Sequence, residues 1–329
     1  MRVTVLGGGS WGTTIASLVA PRHPTLLWAR SEEVAREVRE EHTNRSYLGE
    51  ARLAEELSCT PDLAEAVSGA DLLFVGVPVR GFRQVLTEAG PSLRPSVPVV
   101  SLAKGLERRS YLRMTEVIGQ VLPGHPAAVL TGPNIAREIM EGKAAAAVVA
   151  SEDLELAAEI QQVVTRGLYR VYVNHDVIGC EVAGALKNVI AIAAGMGEGI
   201  GVGDNTRAAV MTRGLAELTR LGVALGAEPA TFAGLAGMGD LVVTCMSPHS
   251  RNRHVGVELG RGRSLEEIVG EMRMVAEGVR TAEVVLELAD RHGLELPICR
   301  VIERVLAGEL TPVGAYFGLT PPGHEAEPG

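Results

Sequence analysis

Two lysines and one aspartate have the chemistry needed to move a proton at neutral pH. Only three of the 31 basic residues are lysines, and the third, Lys143, is readily explained as a surface residue. Lys104 follows an apolar, strand-like segment, and Asp240 lies between glycines and an apolar stretch. Lysine can shift its pKa and release a proton, whereas arginine stays protonated. Lys104 and Lys187 are therefore candidates for acid–base catalysis.

The segment Glu181–Ala194 predicts a buried helix, because almost all of its residues are apolar or small. Lys187 and Asn188 interrupt that pattern. A charged or polar side chain in a buried helix needs a partner or a function, so a surface position explains Lys187 poorly. We expect Lys187 to face a reaction centre. Burial would lower its pKa.

A cluster of polar residues at Ser250, Arg251 and Asn252 has the composition of an anion site. The arginine offers a fork of N–H donors, and the neighbouring hydroxyl and amide add two more donors. Such a set suits a phosphate or a carboxylate. The alternative is a solvated basic turn.

A glycine motif near the N-terminus predicts a dinucleotide site. Gly7, Gly9 and Gly12 fit the pattern GxGxxG, after a strand-like segment and at the start of a helix. The first glycine permits a tight turn, the second lets a pyrophosphate approach, and the third lets helix and strand pack closely. The free N–H groups of the helix would then face the phosphates. The alternative is a purely structural glycine turn.

The residue at the end of the second predicted strand helps to distinguish an NAD(H) site from an NADP(H) site. An NAD-selective site usually places Asp or Glu there, but this chain has Arg30, which suits a 2′-phosphate, with Glu32 and Glu33 just beyond. The expected cofactor is NADP(H), with NAD(H) as a second one. Pro78 and Phe82, after another strand, either flank the cofactor or form an ordinary strand-to-helix turn.

The elements that would carry these residues alternate between strand and helix in the first half of the chain. We predict an α/β N-terminal Rossmann-type domain with a doubly wound, mostly parallel sheet, followed by an all-α C-terminal domain. The expected divisions are 1–176 for the NAD(P)-binding domain, 177–319 for the helical substrate-binding domain and 320–329 for a disordered tail. The predicted strands are Val3–Gly7, Thr25–Ala29, Asp71–Val77, Val97–Leu102, Ala127–Leu130, Ala145–Ala150 and Tyr169–Val173.

Three local features complete the expected element pattern. Ser31 is expected to cap a helix that runs to Glu40, and Pro61 to occupy the first position of another. The glycine-rich stretch Gly195–Gly203 is expected to form a tight loop.

Composition excludes several classes of protein. The net charge of −9 argues against a general nucleic-acid or membrane-surface binder. We expect no membrane-spanning segment and no signal peptide. The cysteines, Cys59, Cys180, Cys245 and Cys299, form no CxxC pair and indicate reduced thiols in a cytoplasmic protein. No metal site is expected.

These motifs together resemble the NAD(P)-dependent glycerol-3-phosphate dehydrogenases. The resemblance runs in order from the first strand to about Thr281 and covers both predicted domains. Several motifs at sensible spacing are far more specific than the glycine pattern alone. The matching segments are Gly7–Thr13, Asn44–Leu48, Ser101–Gly105, Leu130–Pro133, Glu181–Asn188, Gly237–Leu241 and Ser250–Asn252.

The resemblance implies that dihydroxyacetone phosphate and sn-glycerol 3-phosphate interconvert by hydride transfer with NAD(P)H, supplying glycerophospholipid synthesis. It implies that Lys187 donates and accepts the proton, with Lys104, Asn188 and Asp240 as further catalytic residues. In that arrangement burial and the second cation, Lys104, would lower the pKa of Lys187, and Asp240 would oppose that shift. With the motif glycines, the expected cofactor contacts are Gly7, Gly9, Ser10, Trp11, Gly12, Arg30, Lys104, Ala136, Arg251, Val275 and Glu277. The implied substrate contacts are Lys104, Gly132, Asn134, Lys187, Asp240, Ser250, Arg251 and Asn252.

One residue departs from the family pattern. The family usually has Ser or Thr after Gly-Pro, where this chain has Asn134. An amide still donates to a substrate oxygen, but its size and reach differ.

Two other functions remain open at this point. A β-hydroxyacid dehydrogenase has a similar two-domain build but a Lys-x-x-x-Asn site, whereas here asparagine directly follows the lysine. A dinucleotide-sensing regulator would need the fold but not Lys187, Asp240 and Arg251 together. The sequence leaves the oligomeric state open, with a homodimer as the assembly considered.

Overall fold

The computed structural model describes residues 1–272 and 276–318. Eight strands form one sheet in the order β3-β2-β1-β4-β5-β6-β7-β8. All neighbouring strands are parallel except β6 and β7, which are antiparallel. The predicted doubly wound, mostly parallel sheet is therefore confirmed. The strands are β1 (Val3–Leu6), β2 (Thr25–Trp28), β3 (Leu57–Thr60), β4 (Leu72–Val75), β5 (Val99–Ser101), β6 (Ala127–Thr131), β7 (Ala145–Ala150) and β8 (Tyr169–Asn174).

Seven of these strands match the predicted segments, and β3 is the strand that the sequence did not predict. The central strands β1 and β4 are buried along their whole length, because helices cover both faces of the sheet. In contrast, β3 lies at one edge and is only four residues long, with Ser58 exposed. A short edge strand with polar residues carries little hydrophobic pattern.

Eight helices accompany the sheet. Ser31 caps α2 as predicted, and its side chain accepts a hydrogen bond from Val34 N. The prediction for Pro61 was wrong, because α4 starts at Leu63 and Asp62 caps it by accepting from Glu65 N at 3.0 Å. These helices are α1 (Ser10–Val19), α2 (Glu32–Glu41), α3 (Arg45–Leu48), α4 (Leu63–Ser68), α5 (Val79–Ala89), α6 (Met114–Val121), α7 (Ala136–Met140) and α8 (Leu154–Val164).

The second half is helical over 177–272 and 276–318, which confirms the predicted all-α character. A π-helical turn, Leu235–Gly239, leads directly into α12. The helices are α9 (Val177–Ile200), α10 (Asp204–Ala224), α11 (Pro229–Ala233), α12 (Asp240–Met246), α13 (Arg251–Gly260), α14 (Leu265–Glu271), α15 (Glu277–Arg291), α16 (Pro297–Leu306) and α17 (Pro312–Gly318).

Helix α9 is the core of the helical half. Of the helices in the described ranges, it alone is long and apolar enough to cross a membrane, yet 94% of its most apolar window is buried inside the protein. Burial on all sides is typical of a core helix. Near its start, the buried Glu181 accepts hydrogen bonds from Arg113 Nη1 and Thr115 N, both at 3.0 Å. These contacts fix α9 against the first half of the chain.

The predicted loop at Gly195–Gly203 is wrong, because α9 continues to Ile200 and ends at Gly201, which has φ +89°. The glycines before that point serve close helix packing. A Cβ on Gly195 or Gly199 would lie 2.2 Å from a backbone oxygen of α13, namely that of Arg253 or Val257. The sequence signal was real, but it marked a helix crossing and not a turn.

The chain passes from the sheet to the helical half between β8 and α9. Strand β8 ends at Asn174 and α9 begins at Val177. The predicted tail, 320–329, lies outside the described residues. All four cysteines are free, as predicted, and all four are buried.

Candidate active site

The buried carboxylate of Asp240 accepts hydrogen bonds from both candidate lysines. Lys104 Nζ donates to Oδ2 at 2.6 Å, and Lys187 Nζ donates to Oδ1. The side chains of Lys187 and Asp240 are 6% and 1% exposed. Lys104 Nζ also donates to the carbonyl oxygen of Gly132 at 2.8 Å. The structure thus joins two cations and one anion from distant parts of the chain into a single buried cluster.

Each member of this cluster sits at a defined point of the fold. Lys104 follows β5, and Gly132 follows β6, at the carboxyl edge of the sheet where ligands bind in such folds. Gly132 has φ +117°, and a Cβ there would lie 3.1 Å from Ala147 Cα. Lys187 lies in the middle of α9, and Asp240 is the first residue of α12. The π-helical turn Leu235–Gly239 leads directly into Asp240.

Lys187 has a strongly perturbed pKa. Its pKa is lowered from 10.5 to about 7, chiefly by burial and also by the positive charge of Lys104, while Asp240 acts in the opposite direction. Burial thus outweighs the attraction of the paired carboxylate. All three directions agree with the expectation from sequence. An amine with a pKa near 7 is present in both protonation states at neutral pH, as an acid–base catalyst requires.

Thr244 is a member of the cluster that the sequence reasoning missed. Its hydroxyl accepts a hydrogen bond from Lys187 Nζ at 2.8 Å and donates to the backbone oxygen of Asp240 at 2.6 Å. It lies one turn after Asp240 on α12, so the spacing i, i+4 placed both side chains on one helix face. That spacing was the signal available in the sequence.

Two asparagines link three helices beside the cluster. Asn252 Nδ2 donates to Asn188 Oδ1 at 2.8 Å, and Asn252 Oδ1 accepts from Gly278 N at 2.9 Å. Asn188 Nδ2 makes only long contacts of 3.5 Å to the carbonyl oxygens of Lys104 and Gly184. The Asn252 amide is therefore engaged within the protein, while Asn188 Nδ2 is held weakly and faces the lysine loop.

Arg251 stands at the N-terminus of α13, where Ser250 caps the helix by accepting from Arg253 N at 3.2 Å. Arg251 is exposed and makes no ion pair with any residue in 1–272 or 276–318. It is close enough to the Glu277 carboxylate to lower its pKa, as do Lys187 and Lys104, although burial raises that pKa more strongly. Arg251 is therefore a cation available beside the buried cluster.

The glycine motif has the geometry expected of a dinucleotide site. Gly7 has φ +118°, and a Cβ on Gly12 would lie 2.1 Å from the Gly7 oxygen. These two glycines are therefore required for the tight packing of β1 against α1. A Cβ on Gly9 would have no neighbour within 4 Å, so space remains open there. Helix α1 has no side-chain cap, which leaves its first N–H groups free for an anion.

Two buried donors next to α1 lack a partner. Trp11 Nε1 and Asn134 Nδ2 donate to no acceptor in the described part of the chain. Both side chains touch Tyr169, whose hydroxyl donates to Asn134 Oδ1 at 3.3 Å and whose ring meets Trp11 edge-on at 6.2 Å. Buried donors are normally paired, so these two fit a ligand that supplies acceptors, as a dinucleotide does.

The other expected cofactor contacts occupy different settings. Arg30 is exposed after β2 and has no ion pair within the described ranges. Ser10 and Ala136 are half-buried at the starts of α1 and α7. Phe82 is fully buried in the core, so it does not flank a ligand. Val275 lies outside the described residues.

The sequence matches known family models over both halves of the chain. The family model for the NAD-dependent glycerol-3-phosphate dehydrogenase N-terminus matches residues 2–157, and the model for its C-terminus matches residues 176–316. The chain belongs to the NAD-dependent glycerol-3-phosphate dehydrogenase family. Lys104, Gly132, Lys187 and Asp240, which converge in the structure, lie within the regions matched by the two models.

Individual members of the family match over almost their whole length. An NAD(P)+ glycerol-3-phosphate dehydrogenase of Sphingopyxis alaskensis is 55% identical over 331 residues, covering 100% of this chain and 99% of its own. One from Mycobacterium avium is 54% identical and covers 98% and 96%. The crystal structure of the Coxiella burnetii glycerol-3-phosphate dehydrogenase is 34% identical, with a TM-score of 0.92 and coverage of 97% and 98%.

More distant dehydrogenases share only the fold. A D-mandelate dehydrogenase structure with NADH is 12% identical and has a TM-score of 0.63, covering 94% of this chain and 98% of its own. At that identity the likeness says nothing about substrate. The family assignment therefore depends on the glycerol-3-phosphate dehydrogenase matches.

Proposed function

We propose that this chain catalyses reversible hydride transfer between NAD(P)H and dihydroxyacetone phosphate, giving sn-glycerol 3-phosphate. The observation that carries the proposal is the buried Lys187 ammonium, with a pKa of about 7, held on Asp240 beside Lys104. The family membership and the names of the close relatives support the same reaction. By the same argument the product supplies glycerophospholipid synthesis.

The dinucleotide, when bound, supplies or accepts the hydride at its nicotinamide ring. The chain's part is to bind it and align the substrate. The open space at Gly9, the uncapped N-terminus of α1 and the unpaired Trp11 donor would hold the cofactor. In the helical half, Glu277 would contact it from α15.

Lys187 acts as the proton donor in the direction of ketone reduction. Negative charge develops on the carbonyl oxygen during reduction, and the Lys187 ammonium stabilises that charge before giving up its proton. Asp240 and Thr244 hold the amine in place through their hydrogen bonds. Lys104 adds a second positive charge, and Asn188 orients the oxygen. In the reverse direction, the neutral Lys187 amine takes the proton from the alcohol.

The substrate phosphate binds at the start of α13. Arg251 offers a bidentate donor that makes no ion pair within residues 1–272 and 276–318, although the Glu277 carboxylate is near, and the Ser250 hydroxyl lies beside it. Asn252 orders the site through Asn188 and Gly278. Because the phosphate is remote from the reacting carbon, gripping it aligns the carbonyl with Lys187 without hindering the reaction. Gly132 and Asn134 complete the contacts from the other side of the cleft.

The cofactor preference we propose is NADP(H), used alongside NAD(H). Arg30 is exposed after β2, where a 2′-phosphate would lie, and no described carboxylate neutralises it. Replacing Arg30 by alanine should raise KM for NADPH about tenfold or more and leave KM for NADH nearly unchanged. Turnover with NADH but none with NADPH would contradict this preference.

The test of the proposed reaction is to follow NADPH oxidation with dihydroxyacetone phosphate and, separately, with a 3-oxo acid. We expect turnover only with the phosphate ester. Replacing Lys187 by arginine keeps the charge but removes the proton relay, so the rate should fall by about 10²–10⁴. Replacing the surface residue Lys143 by arginine is the matched control and should change nothing. Near-normal turnover of the Lys187→Arg variant would exclude the proposed role.

The organisation that goes with this function is a nucleotide-binding unit of residues 1–176 and a substrate-binding unit of residues 177–319. We assign the protein to the cytoplasm, where its small-molecule substrates and reduced thiols would be found. Its assembly is proposed to be a homodimer, which sedimentation of the purified chain would test.

A further inference from the structure

A cavity of about 520 Å³ opens between the two halves of the chain, and none of Lys104, Lys187 and Asp240 lines it. Its walls come from the start of α5, the loop after Lys104 and the first turns of α15. Arginine is the most frequent residue in these walls. The lining residues are Pro78, Val79, Arg80, Arg83, Leu106, Glu107, Arg108, Arg109, Ser110, Glu277, Arg280, Thr281 and Val284.

Two of the five arginines are neutralised within the protein. Arg83 makes a bidentate contact with Glu107, at 2.9 and 2.8 Å, and Arg108 pairs with Glu283 at 2.9 Å. Their charges are therefore already satisfied. They line the cavity, but their guanidinium groups need no anionic ligand.

The other three arginines are Arg80, Arg109 and Arg280. None of their side chains makes an ion pair or hydrogen bond with a residue in the described ranges, and all three residues are exposed and line the cavity. The only lining carboxylate left without an ion pair is that of Glu277. The cavity therefore carries an excess of positive charge, although the chain as a whole is negative.

The deeper surface of the cavity is apolar. Leu106 and Val284 are almost fully buried, and Val79 is half-buried beside them. A ligand that fits this cavity needs an anionic group for the arginines and a small apolar body for these side chains. A bare inorganic anion would satisfy only the first requirement.

We propose that this cavity binds a phosphomonoester dianion with a small apolar body, at a site separate from the phosphate contact at Arg251. Arginine forks match phosphate oxygens in pairs, and three unpaired arginines supply the charge for a dianion. Arg251 does not line the cavity, so the two sites use different arginines.

Occupancy of this cavity would influence the cofactor through Glu277. Glu277 lines the cavity and is also one of the residues proposed to contact NAD(P)H. A phosphate group placed near it adds negative charge beside the carboxylate. The ligand should therefore change the affinity for NAD(P)H without touching the Lys187 cluster.

The test is calorimetric titration of phenyl phosphate into the full chain carrying Arg251→Gln, which removes the proposed substrate phosphate contact. We expect saturable binding, with inorganic phosphate several-fold weaker because it lacks the apolar body. Adding Arg80→Gln and Arg280→Gln should weaken phenyl phosphate binding about tenfold or more. Adding Arg108→Gln, a lining arginine already paired with Glu283, is the matched control and should change binding by less than about twofold.

Several results would overturn the proposal. These are no saturable binding, equal affinity for phenyl phosphate and inorganic phosphate, or equal losses in the double variant and in the Arg108→Gln control. Loss of all binding on introducing Arg251→Gln alone would assign the probe to the substrate site instead. Because the readout is binding and not turnover, failure here leaves the proposed reaction untouched. Failure of the reaction likewise leaves this measurement interpretable.

Discussion

At the scale of single residues, the balance of charges around Lys187 determines what the site can do. One buried carboxylate faces two ammonium groups, so Lys104 and Lys187 compete for Asp240. A lysine with a carboxylate to itself would keep its proton well above neutral pH. Burial above all, and then the positive charge of Lys104, brings the pKa of Lys187 to about 7 although Asp240 opposes the shift.

This balance predicts opposite pH dependences for the two directions of the reaction. Ketone reduction needs protonated Lys187, so kcat/KM should fall about tenfold per unit as the pH rises above about 7. Alcohol oxidation needs the neutral amine, so its kcat/KM should fall as the pH drops below about 7. Steady-state rates between pH 5 and 10 in both directions test this. If kcat/KM fell on the same side of pH 7 in both directions, the proposed role of Lys187 would be contradicted.

Replacing Asp240 by asparagine should move the pH at which kcat/KM for ketone reduction begins to fall. Asp240 raises the pKa of Lys187, so its removal lets burial and Lys104 lower the pKa further. The limb for ketone reduction should therefore shift to lower pH, whatever the loss in rate. A neutral replacement at the exposed Glu152 is a suitable control for pH effects elsewhere. An unchanged or higher transition pH in Asp240→Asn would show that the carboxylate does not act on Lys187.

The sequence was most informative about these individual residues. Scarcity of lysine drew attention to Lys104 and Lys187, and an apolar helix pattern implied burial for the latter. What could not be predicted was the partner geometry, because it depends on how α9, α12 and the sheet edge pack together. Thr244 was missed for that reason.

At the scale of secondary structure, close packing of α9 against α13 explains the glycines that were mistaken for a loop. Gly195 and Gly199 on α9 meet Gly256 and Gly260 on α13, where a Cβ would lie 2.1–2.4 Å from a backbone oxygen of the other helix. Small residues at this spacing allow two backbones to approach closely. The apolar periodicity of the sequence could not distinguish glycines at a helix crossing from glycines in a turn, because both interrupt it in the same way.

Alanine at Gly199 should destabilise the protein. Its Cβ would lie 2.2 Å from the Val257 oxygen, so the two helices must separate, and overpacking of this kind costs about 1–3 kcal/mol. Gly119 in α6 is the matched control, because a Cβ there has no neighbour within 4 Å. Gly119→Ala should be neutral or slightly stabilising, by up to about 1 kcal/mol from helix propensity. Denaturant unfolding of both variants checks this, and equal stabilities would contradict the packing argument.

The turn between β1 and α1 permits a similar comparison for cofactor binding. Valine at Gly9 meets no protein atom at its Cβ, so the protein without cofactor should keep its melting temperature. The side chain would fill the space proposed for the pyrophosphate, so the stabilisation by NADPH, about 2.7 kcal/mol at 100 times Kd, should disappear. Alanine at Gly12 should instead destabilise the protein without cofactor, because its Cβ lies 2.1 Å from the Gly7 oxygen.

A thermal-shift assay with and without NADPH distinguishes these outcomes. A normal NADPH shift in Gly9→Val would place the cofactor elsewhere. The tight turn at Gly7 and the close packing at Gly12 match the roles predicted from this local motif, whereas the role of Gly9 toward a pyrophosphate stays a prediction. Strand β3, in contrast, depends on pairing with β2 at the sheet edge and left almost no local signal.

At the scale of the whole molecule, the reaction centre belongs to neither half alone. Lys104 and Gly132 come from the sheet edge, whereas Lys187 and Asp240 come from the helical half. The buried contact of Glu181 with Arg113 and Thr115 holds the two halves in register near this point. The order of strands and helices was predictable from the sequence, but this convergence was reached only through the family resemblance.

Because lysine is scarce in this chain, the pKa of Lys187 can be measured directly. With only three lysines in the chain, protein labelled with ¹³C at the lysine ε-carbon gives three signals, and the one lost in Lys187→Met belongs to Lys187. Titration by NMR should show that signal moving with a midpoint near pH 7. A midpoint near 10.5, the value of an ordinary lysine, would contradict the proposed acid–base role and the mechanism built on it.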